Sequence, residues 1–196
     1  MLKIKGLAGM TKLRRLTEAV TLVRPLLTFT RADILDYLTA IGQRFRTDSS
    51  NFSVRLARNR LRLELLPQLR QDFNPVLDAA LVRLGALAGE TCRFVEAQAQ
   101  RLADLCVTPV GNGLRIQTTL PEVRRFTEFL PTESRRFLWT ELFRLLWRKN
   151  GLPQQNMGQE EWSQLAQMAM NEEETARVFP GKVRVRREDG EIWVEF

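Results

Sequence analysis

Arginine side chains are concentrated in the segment TDSSNFSVRLARNRLR, which runs from Thr47 to Arg62. A guanidinium group presents a planar fork of hydrogen-bond donors that matches the oxygens of a phosphate. If the segment is helical, Arg55, Arg58 and Arg62 share one stripe, because they are three and then four residues apart. The spacing suits contact with phosphate or nucleic acid, although a solvated helix face with ion pairs would have the same pattern.

A turn and a helix are predicted to position these arginines. The DSSN sequence from Asp48 to Asn51 favours a turn, since Asp and Asn side chains bond backbone amides two or three residues on. Asp48 and Asn51 are therefore expected either to orient the arginine helix or to contact a substrate. The helix is predicted from Val54 to about Asp72. Its apolar stripe would face a core and consists of Val54, Ala57, Leu61, Leu65 and Leu69.

The charge balance points to a polyanionic partner. The 196 residues include 30 Lys and Arg against 23 Asp and Glu, a net charge of +7. A basic surface kept for solubility would give the same balance, but the excess of Arg over Lys favours phosphate contact. Histidine is absent from the sequence, which excludes a histidine general base and a histidine-ligated metal site. No metal site is predicted.

The two cysteines and the hydropathy pattern indicate a reduced, cytoplasmic protein. Cys92 and Cys106 fall on one predicted helix, where a rise of about 1.5 Å per residue would separate them by roughly 21 Å, beyond disulfide reach. The start MLKIKGLAGM has no apolar signal core, and no apolar run approaches the length of a membrane span.

The rest of the sequence predicts a mainly helical α+β chain. A strand before a capped helix is typical of an α/β domain, and Asp-Gly between alternating segments is a strong hairpin signal. The predicted elements are a strand over 19–29 interrupted by Pro25, a helix capped by Thr30 and stopped at Gly42, a helix from Asn74-Pro75 to about Val107, a strand at 114–116, a helix capped by Thr132 and running to about Asn150, a helix over about 158–170 and a hairpin turning at Asp189-Gly190. We place a domain boundary between residues 1–72 and residues 73–196.

Basic residues also accumulate in the second of these domains, along an aromatic-rich helix and the last hairpin. Proteins recognise folded RNA largely through its shape and backbone. The candidate RNA contacts are Arg55, Arg135, Arg136, Arg144, Arg148, Lys182, Arg184 and Arg186, with Lys149 and Arg187 beside them. The aromatic residues Phe137, Trp139 and Trp147 are expected in the core rather than as platforms for bases.

Five short blocks carry a resemblance to a known family. They are GLAGM at 6–10, RPLL at 24–27, DSSN…RNRLR at 48–62, LPQL at 66–69 and Asn-Pro at 74–75. In this order and spacing they resemble the tRNA(Ile)-lysidine synthase family of PP-loop ATPases. The resemblance implies the C-terminal part of a PP-loop catalytic domain, a long linker helix and a helical tRNA-binding domain ending in a β-hairpin.

The resemblance also implies the chemistry of an ATP-dependent ligase. Enzymes of this family adenylate the wobble cytidine of a tRNA(Ile) with a CAU anticodon, and the ε-amine of free lysine then displaces AMP to give lysidine. ATP and Mg²⁺ are the cofactors implied for the complete enzyme. On this resemblance Arg58, Asn59 and Arg62 lie at the edge of the catalytic cleft as candidate catalytic residues, supported by Asp48 and Asn51.

The SGGxDS motif that performs the ATP chemistry in this family is absent from the 196 residues. We therefore expect the chain alone to be inactive and the missing PP-loop segment to be supplied separately, as another chain or segment. Two alternatives stay open, namely a non-catalytic RNA-binding module derived from the family and a basic helical interaction domain without an RNA role.

Overall fold

The computed structural model describes residues 2–171, 173 and 175–196, and these fall into two compact units. The N-terminal unit is Leu2–Gly89 and the C-terminal unit is Glu90–Phe196. The two units divide inside the longest helix, whereas the predicted domain boundary precedes that helix. The assignment of residues 1–72 and 73–196 to separate functional domains stays a prediction.

The N-terminal unit combines short helices with a two-stranded antiparallel sheet, in which Leu13 pairs with Val23. Its elements are α1 (Leu2–Leu7), β1 (Leu13–Arg15), β2 (Thr21–Val23), a 3₁₀ turn (Pro25–Thr28), α2 (Arg31–Ala40), a second 3₁₀ turn (Ser49–Phe52), α3 (Ala57–Arg60), a π-helical turn (Leu61–Leu65) and α4 (Leu66–Asp72). Together with the C-terminal unit described below, this confirms the predicted α+β class.

Local sequence signals determine where α2 begins and ends. The strand before it is shorter than predicted. Thr30 accepts a hydrogen bond from the backbone N–H of Asp33, and the Asp33 carboxylate accepts one from the N–H of Thr30, so the predicted capping box is confirmed. Gly42, with φ +64°, ends the helix in the left-handed region. The strand predicted over 19–29 is shorter, because it ends at Val23 and Pro25 starts a 3₁₀ turn after the intervening Arg24.

The arginine helix begins later than the sequence pattern predicts. It starts at Ala57, so Arg55 lies before the helix and does not share a helical stripe with Arg58. The π-helical turn over Leu61–Leu65 then widens the spacing between Arg58 and the residues after it. The expected single stripe of three arginines is therefore wrong.

The N-terminal unit has almost no buried core of its own. Among its described side chains, only Ala88 is buried. The stripe predicted to face a core is largely uncovered, with Leu61 50% and Leu65 42% exposed. Burial of apolar surface is the main force for folding, so this unit leaves much of its apolar surface in contact with water.

The C-terminal unit packs helices against a five-stranded antiparallel sheet of order β3-β4-β7-β6-β5. Its elements, beginning with the helix that crosses the division, are α5 (Leu77–Cys106), β3 (Val107–Val110), β4 (Gly113–Gln117), α6 (Pro121–Thr127), α7 (Thr132–Lys149), α8 (Gln159–Met170), β5 (Thr175–Phe179), β6 (Val183–Glu188) and β7 (Glu191–Glu195). The strands β3 and β5 and the helix α6 were not predicted from the sequence. Thr132 begins α7 and does not cap it, because Pro131 occupies the cap position.

A continuous apolar core holds the C-terminal unit together. Trp147 is fully buried, and its ring makes edge contacts with Phe143, Trp162 and Phe179. Trp139 is also buried, so the expectation that these two tryptophans are core residues is confirmed, whereas Phe137 is 39% exposed. The three inner strands of the sheet, β4, β7 and β6, contribute alternate residues to the same core.

The last hairpin forms as its sequence predicts. Asp189 and Gly190 have φ values of 51° and 76°, as a tight two-residue turn requires. Val183 and Val185 are buried, and Arg184 and Arg186 lie on the opposite face.

No helix among the described residues is long and apolar enough to span a membrane.

Candidate functional site

The side chain of Asn59 joins α3 to the loop before it. Its Nδ2 donates to the backbone carbonyls of Ser50, at 2.8 Å, and Ser53, at 3.0 Å. Ser50 lies within the DSSN turn and Ser53 caps the end of the 3₁₀ turn. The side chain of Asn59 therefore fixes this loop against the first turn of the helix. The structure thus gives Asn59 a positioning contact.

Asp48 stabilises the other end of the same turn. Its Oδ1 accepts a hydrogen bond from the backbone N–H of Ser50 at 2.8 Å, at the start of the 3₁₀ turn. This bond holds the pKa of the Asp48 carboxyl below its usual value. Asn51 is exposed and its side chain makes no hydrogen bond within the described residues. Asp48 is therefore an N-cap, a position at which Asp is a preferred residue.

The arginines after this turn are accessible cations. Arg55, Arg58 and Arg62 are exposed. Within the described part of the chain, their guanidinium groups form no hydrogen bond or ion pair with protein. Unpaired guanidinium groups beside a fixed loop are able to take phosphate oxygens in bidentate geometry.

Helix α7 carries four of the predicted RNA contacts, and three of them, Arg135, Arg136 and Arg144, lie in different environments. Arg135 donates from Nη2 to the carbonyls of Glu128, at 3.3 Å, and Leu130, at 3.4 Å, and so holds the loop after α6. Arg136 is paired with Glu133. Arg144 is 9% exposed and donates to Glu141 at 2.8 Å.

The burial of Arg144 distinguishes it from the other candidates. Its guanidinium also lies 5.4 Å from the ring centre of Trp162, a cation–π distance. The sequence pattern groups it with exposed arginines, but its contacts are those of a structural residue of the helix interface. Breaking such a buried pair to reach an RNA would be costly.

The remaining candidates are mostly on the surface. Arg148 pairs with Glu96 at 3.4 Å. Lys182 and Arg184 are exposed in and beside the turn between β5 and β6. Arg186 is paired with Glu188 and, at 3.3 Å, with Glu195.

No group of three or more His, Cys, Asp or Glu side chains in the described residues is arranged to hold a metal ion. In the N-terminal unit, the carboxylates of Asp33 and Asp48 accept local backbone hydrogen bonds as caps.

Residues 2–69 match the PP-loop domain family. Three relatives are proteins named tRNA(Ile)-lysidine synthase. The relative from Thermosynechococcus vestitus is 42% identical over 98 residues, and that from Nostoc sp. is 36% identical over 99 residues. The relative from Bacteroides thetaiotaomicron is 34% identical over 117 residues.

Over these matched residues the chain is similar to proteins named tRNA(Ile)-lysidine synthase. The matches cover 50%, 50% and 60% of this chain, but only 28%, 29% and 26% of the three relatives. The PP-loop match includes the DSSN turn and the arginines from Arg55 to Arg62.

The structure reveals one surface feature of this chain that the sequence pattern did not indicate. Trp193 is half-buried on the outer face of the sheet, where it lies between Arg115 and Arg186 on the neighbouring strands. Their guanidinium carbons lie 6.0 Å and 5.2 Å from its ring centre. Counting back from Asp189-Gly190 would have paired Arg186 with Trp193, so the signal was present in the hairpin register.

Proposed function

We propose that this chain contributes the later part of a PP-loop catalytic domain and an RNA-binding unit to a tRNA(Ile)-lysidine synthase. One observation carries the proposal. The guanidinium groups of Arg58 and Arg62, which are exposed and have no partner among the described residues, follow the loop braced by Asn59, inside the residues matched to the PP-loop family. Such an arrangement serves a polyanionic substrate better than it serves folding.

The proposed reaction joins lysine to a tRNA base at the expense of ATP. In the first step the wobble cytidine of tRNA(Ile) with a CAU anticodon attacks the α-phosphate of ATP, and pyrophosphate leaves. In the second step the ε-amine of lysine attacks the activated carbon, and AMP leaves as a new C–N bond forms. Arg58 and Arg62 would hold phosphate oxygens and stabilise the negative charge that develops on them.

Asn59, Asp48 and Asn51 have supporting roles in this proposal. Asn59 and Asp48 would keep the loop in place beside the two arginines, through their bonds to Ser50 and Ser53. Asn51 is the one exposed side chain of this group without a bond to the described residues, so it is the member available to a substrate.

We assign the binding of ATP and Mg²⁺ to residues outside these 196. The sequence contains no SGGxDS block, and the described residues offer no cluster of metal ligands. The uncovered apolar surface of the N-terminal unit, with Ala88 as its only buried described residue, supports its assembly with further PP-loop elements.

The C-terminal unit would bind the tRNA backbone. Arg184, Lys182, Arg136 and Arg148 are accessible enough to contact phosphates, and the chain has a net charge of +7. Arg144 is not part of this proposal, because it is buried and paired. Modification of tRNA would place the assembled enzyme in the cytoplasm.

A second candidate function is RNA binding without catalysis, and the missing SGGxDS block favours it. A reconstitution assay separates the two. The chain is mixed with a separate polypeptide carrying the SGGxDS segment of a relative, together with tRNA(Ile), ATP and labelled lysine. The proposal expects lysine incorporation only in the mixture. Incorporation by this chain alone would contradict the assignment of ATP chemistry to another segment, and binding of tRNA without incorporation would favour the second candidate.

A further inference from the structure

A cavity of about 330 Å³ in the C-terminal unit is lined by three arginines, Arg124, Arg135 and Arg187. Three threonines, Thr118, Thr119 and Thr127, add hydroxyl groups to its wall, and Glu128 contributes the one carboxylate among its described lining residues. The positive charges on this wall therefore outnumber the negative ones three to one. Its volume is at the lower end of the range of ligand cavities, about 300–1,000 Å³.

The wall of this cavity is fixed by hydrogen bonds. Arg187 is 4% exposed, and its Nη1 donates to Thr118 Oγ1 at 3.1 Å and to the carbonyl of Met168 at 2.9 Å. The Thr118 hydroxyl in turn donates to the carbonyl of Gly190 at 3.1 Å. A buried cation is thereby anchored between β6, the end of β4 and α8.

Other donors on the wall are still available. They do not include Arg135, which uses Nη2 to hold the loop after α6 and whose Nε is buried. Arg124 is exposed at the cavity, and within the described residues its guanidinium makes no hydrogen bond or ion pair. The Thr119 hydroxyl is also without a partner there. Arginine forks and hydroxyl donors converging on one concave site are the chemistry that binds phosphate.

We propose that this cavity takes a phosphate group of an RNA chain. The proposal rests on the proposed tRNA-binding role of the C-terminal unit and adds a defined site to it. Arg124 and Thr119 contact the phosphate, and Arg135 and Arg187 contribute positive charges that are fixed by their hydrogen bonds to the protein. A cavity of this volume holds one phosphate with part of its sugar, so the site fixes the register of the RNA and does not read its bases.

The test compares two neighbouring arginines of α6 in the whole 196-residue chain. Arg124→Gln removes a guanidinium from the cavity, and Arg125→Gln makes the same change of charge at an exposed residue that does not line it. Binding of tRNA is measured over a series of salt concentrations. Arg124→Gln is expected to weaken binding several-fold and to reduce the slope of log K against log salt by about 0.9. Arg125→Gln is expected to leave the slope unchanged.

The source of the phosphate is tested on the unmodified protein by NMR. Added RNA is expected to shift the backbone amides of Thr119 and Thr127 at concentrations where inorganic phosphate and ATP do not. Shifts produced by phosphate or ATP but not by RNA would overturn the assignment to RNA.

The failures of the two proposals are distinguishable. If tRNA binds but the Arg124 and Arg125 variants behave alike, the cavity is not the site and the proposed RNA-binding function still holds. If the unmodified chain does not bind tRNA at all, both proposals fail.

Discussion

The side-chain amide of Asn59 donates to the backbone carbonyl of Ser50 at 2.8 Å. With the second bond to Ser53, this contact ties the DSSN turn to α3. Asn59 lies within the arginine-rich RNRLR sequence, and its two hydrogen bonds fix the start of the helix that carries Arg58.

Replacing this brace is expected to loosen the turn. Asn59→Ala removes both bonds, each with a net contribution of about 0.5–1.5 kcal/mol, so the Ser53 amide should exchange with solvent roughly tenfold faster or more. Asn51→Ala is the matched control, because the Asn51 side chain makes no bond within the described residues. Hydrogen exchange followed by NMR gives the rates, and equal rates in the two variants would contradict the brace.

The Asp48 cap is expected to fail in acid. The Ser50 N–H holds the pKa of the Asp48 carboxyl below its usual value, so the charged form is favoured in the folded turn. The stabilisation is present above the unfolded pKa of about 3.9 and is lost as the pH falls through the folded pKa. An NMR titration should show the Ser50 amide shift move with the Asp48 carboxyl in this acidic range. Asp48→Asn should abolish that movement, and its persistence in the variant would exclude Asp48 as the cause.

Arg58 is expected to matter for catalysis more than for RNA affinity. In the reconstituted enzyme, Arg58→Ala should lower the rate of lysine incorporation by about 10²–10³-fold, the usual effect of losing one group that stabilises transition-state charge. Affinity for tRNA should change little. Arg60→Ala, an exposed neighbour on the same short helix, provides the control. A similar loss of rate in both variants would point to a general charge effect.

Two valines on adjacent strands test the packing of the sheet. Val185 is 0% exposed and Val178 is 68% exposed. Val185→Ala is expected to lower the free energy of unfolding by about 2–3 kcal/mol, from the lost transfer of two methyl groups and the cavity left behind. Val178→Ala should cost less than about 0.5 kcal/mol. Urea unfolding gives the free energy of unfolding of both variants. Comparable losses of stability in the two variants would mean that the inner face of the sheet is not packed as described.

The cysteines are expected to be unreactive in the folded protein. Burial raises the pKa of the Cys106 thiol to about 12, so almost no thiolate exists at pH 8. Cys92 is also buried and free. A thiol reagent such as DTNB should react slowly with the native chain and rapidly with the chain in denaturant. Fast reaction of a Cys92→Ser variant in its native state would show that Cys106 is accessible.

Local signals in the sequence predicted much of the fold. The Thr30-Asp33 capping box and the Asp189-Gly190 turn depend on residues close together in the chain, and both formed as expected. The start of α3 differs from the prediction, because the Asn59 side chain bonds back to Ser50 and Ser53 and holds the preceding residues out of the helix. A bond between a side chain and a distant carbonyl leaves no periodic pattern in the sequence.

The environments of the arginines could not be predicted from the sequence, because they too depend on contacts between residues that are distant in the chain. Arg184 and Arg187 belong to the same basic run, yet Arg184 is exposed and Arg187 is buried beside Met168 and Thr118. Alternation places Arg187 on the inner face, but only tertiary structure supplies the carbonyl and hydroxyl that accept its hydrogen bonds. The cavity near Arg124 likewise depends on α6, an element that the sequence pattern did not reveal.

The central position of β7 sets a time constraint on folding during synthesis. In the sheet, β4 and β6 are joined only through β7, and Gln117 of β4 meets Glu191 of β7 across a sequence separation of 74 residues. At about 5–20 residues per second, the ribosome takes roughly 4–15 s to add that length. During this interval the edge of β4 that will pair with β7 has no partner strand. The nascent C-terminal unit is therefore exposed to aggregation or chaperone binding until β7 has been synthesised.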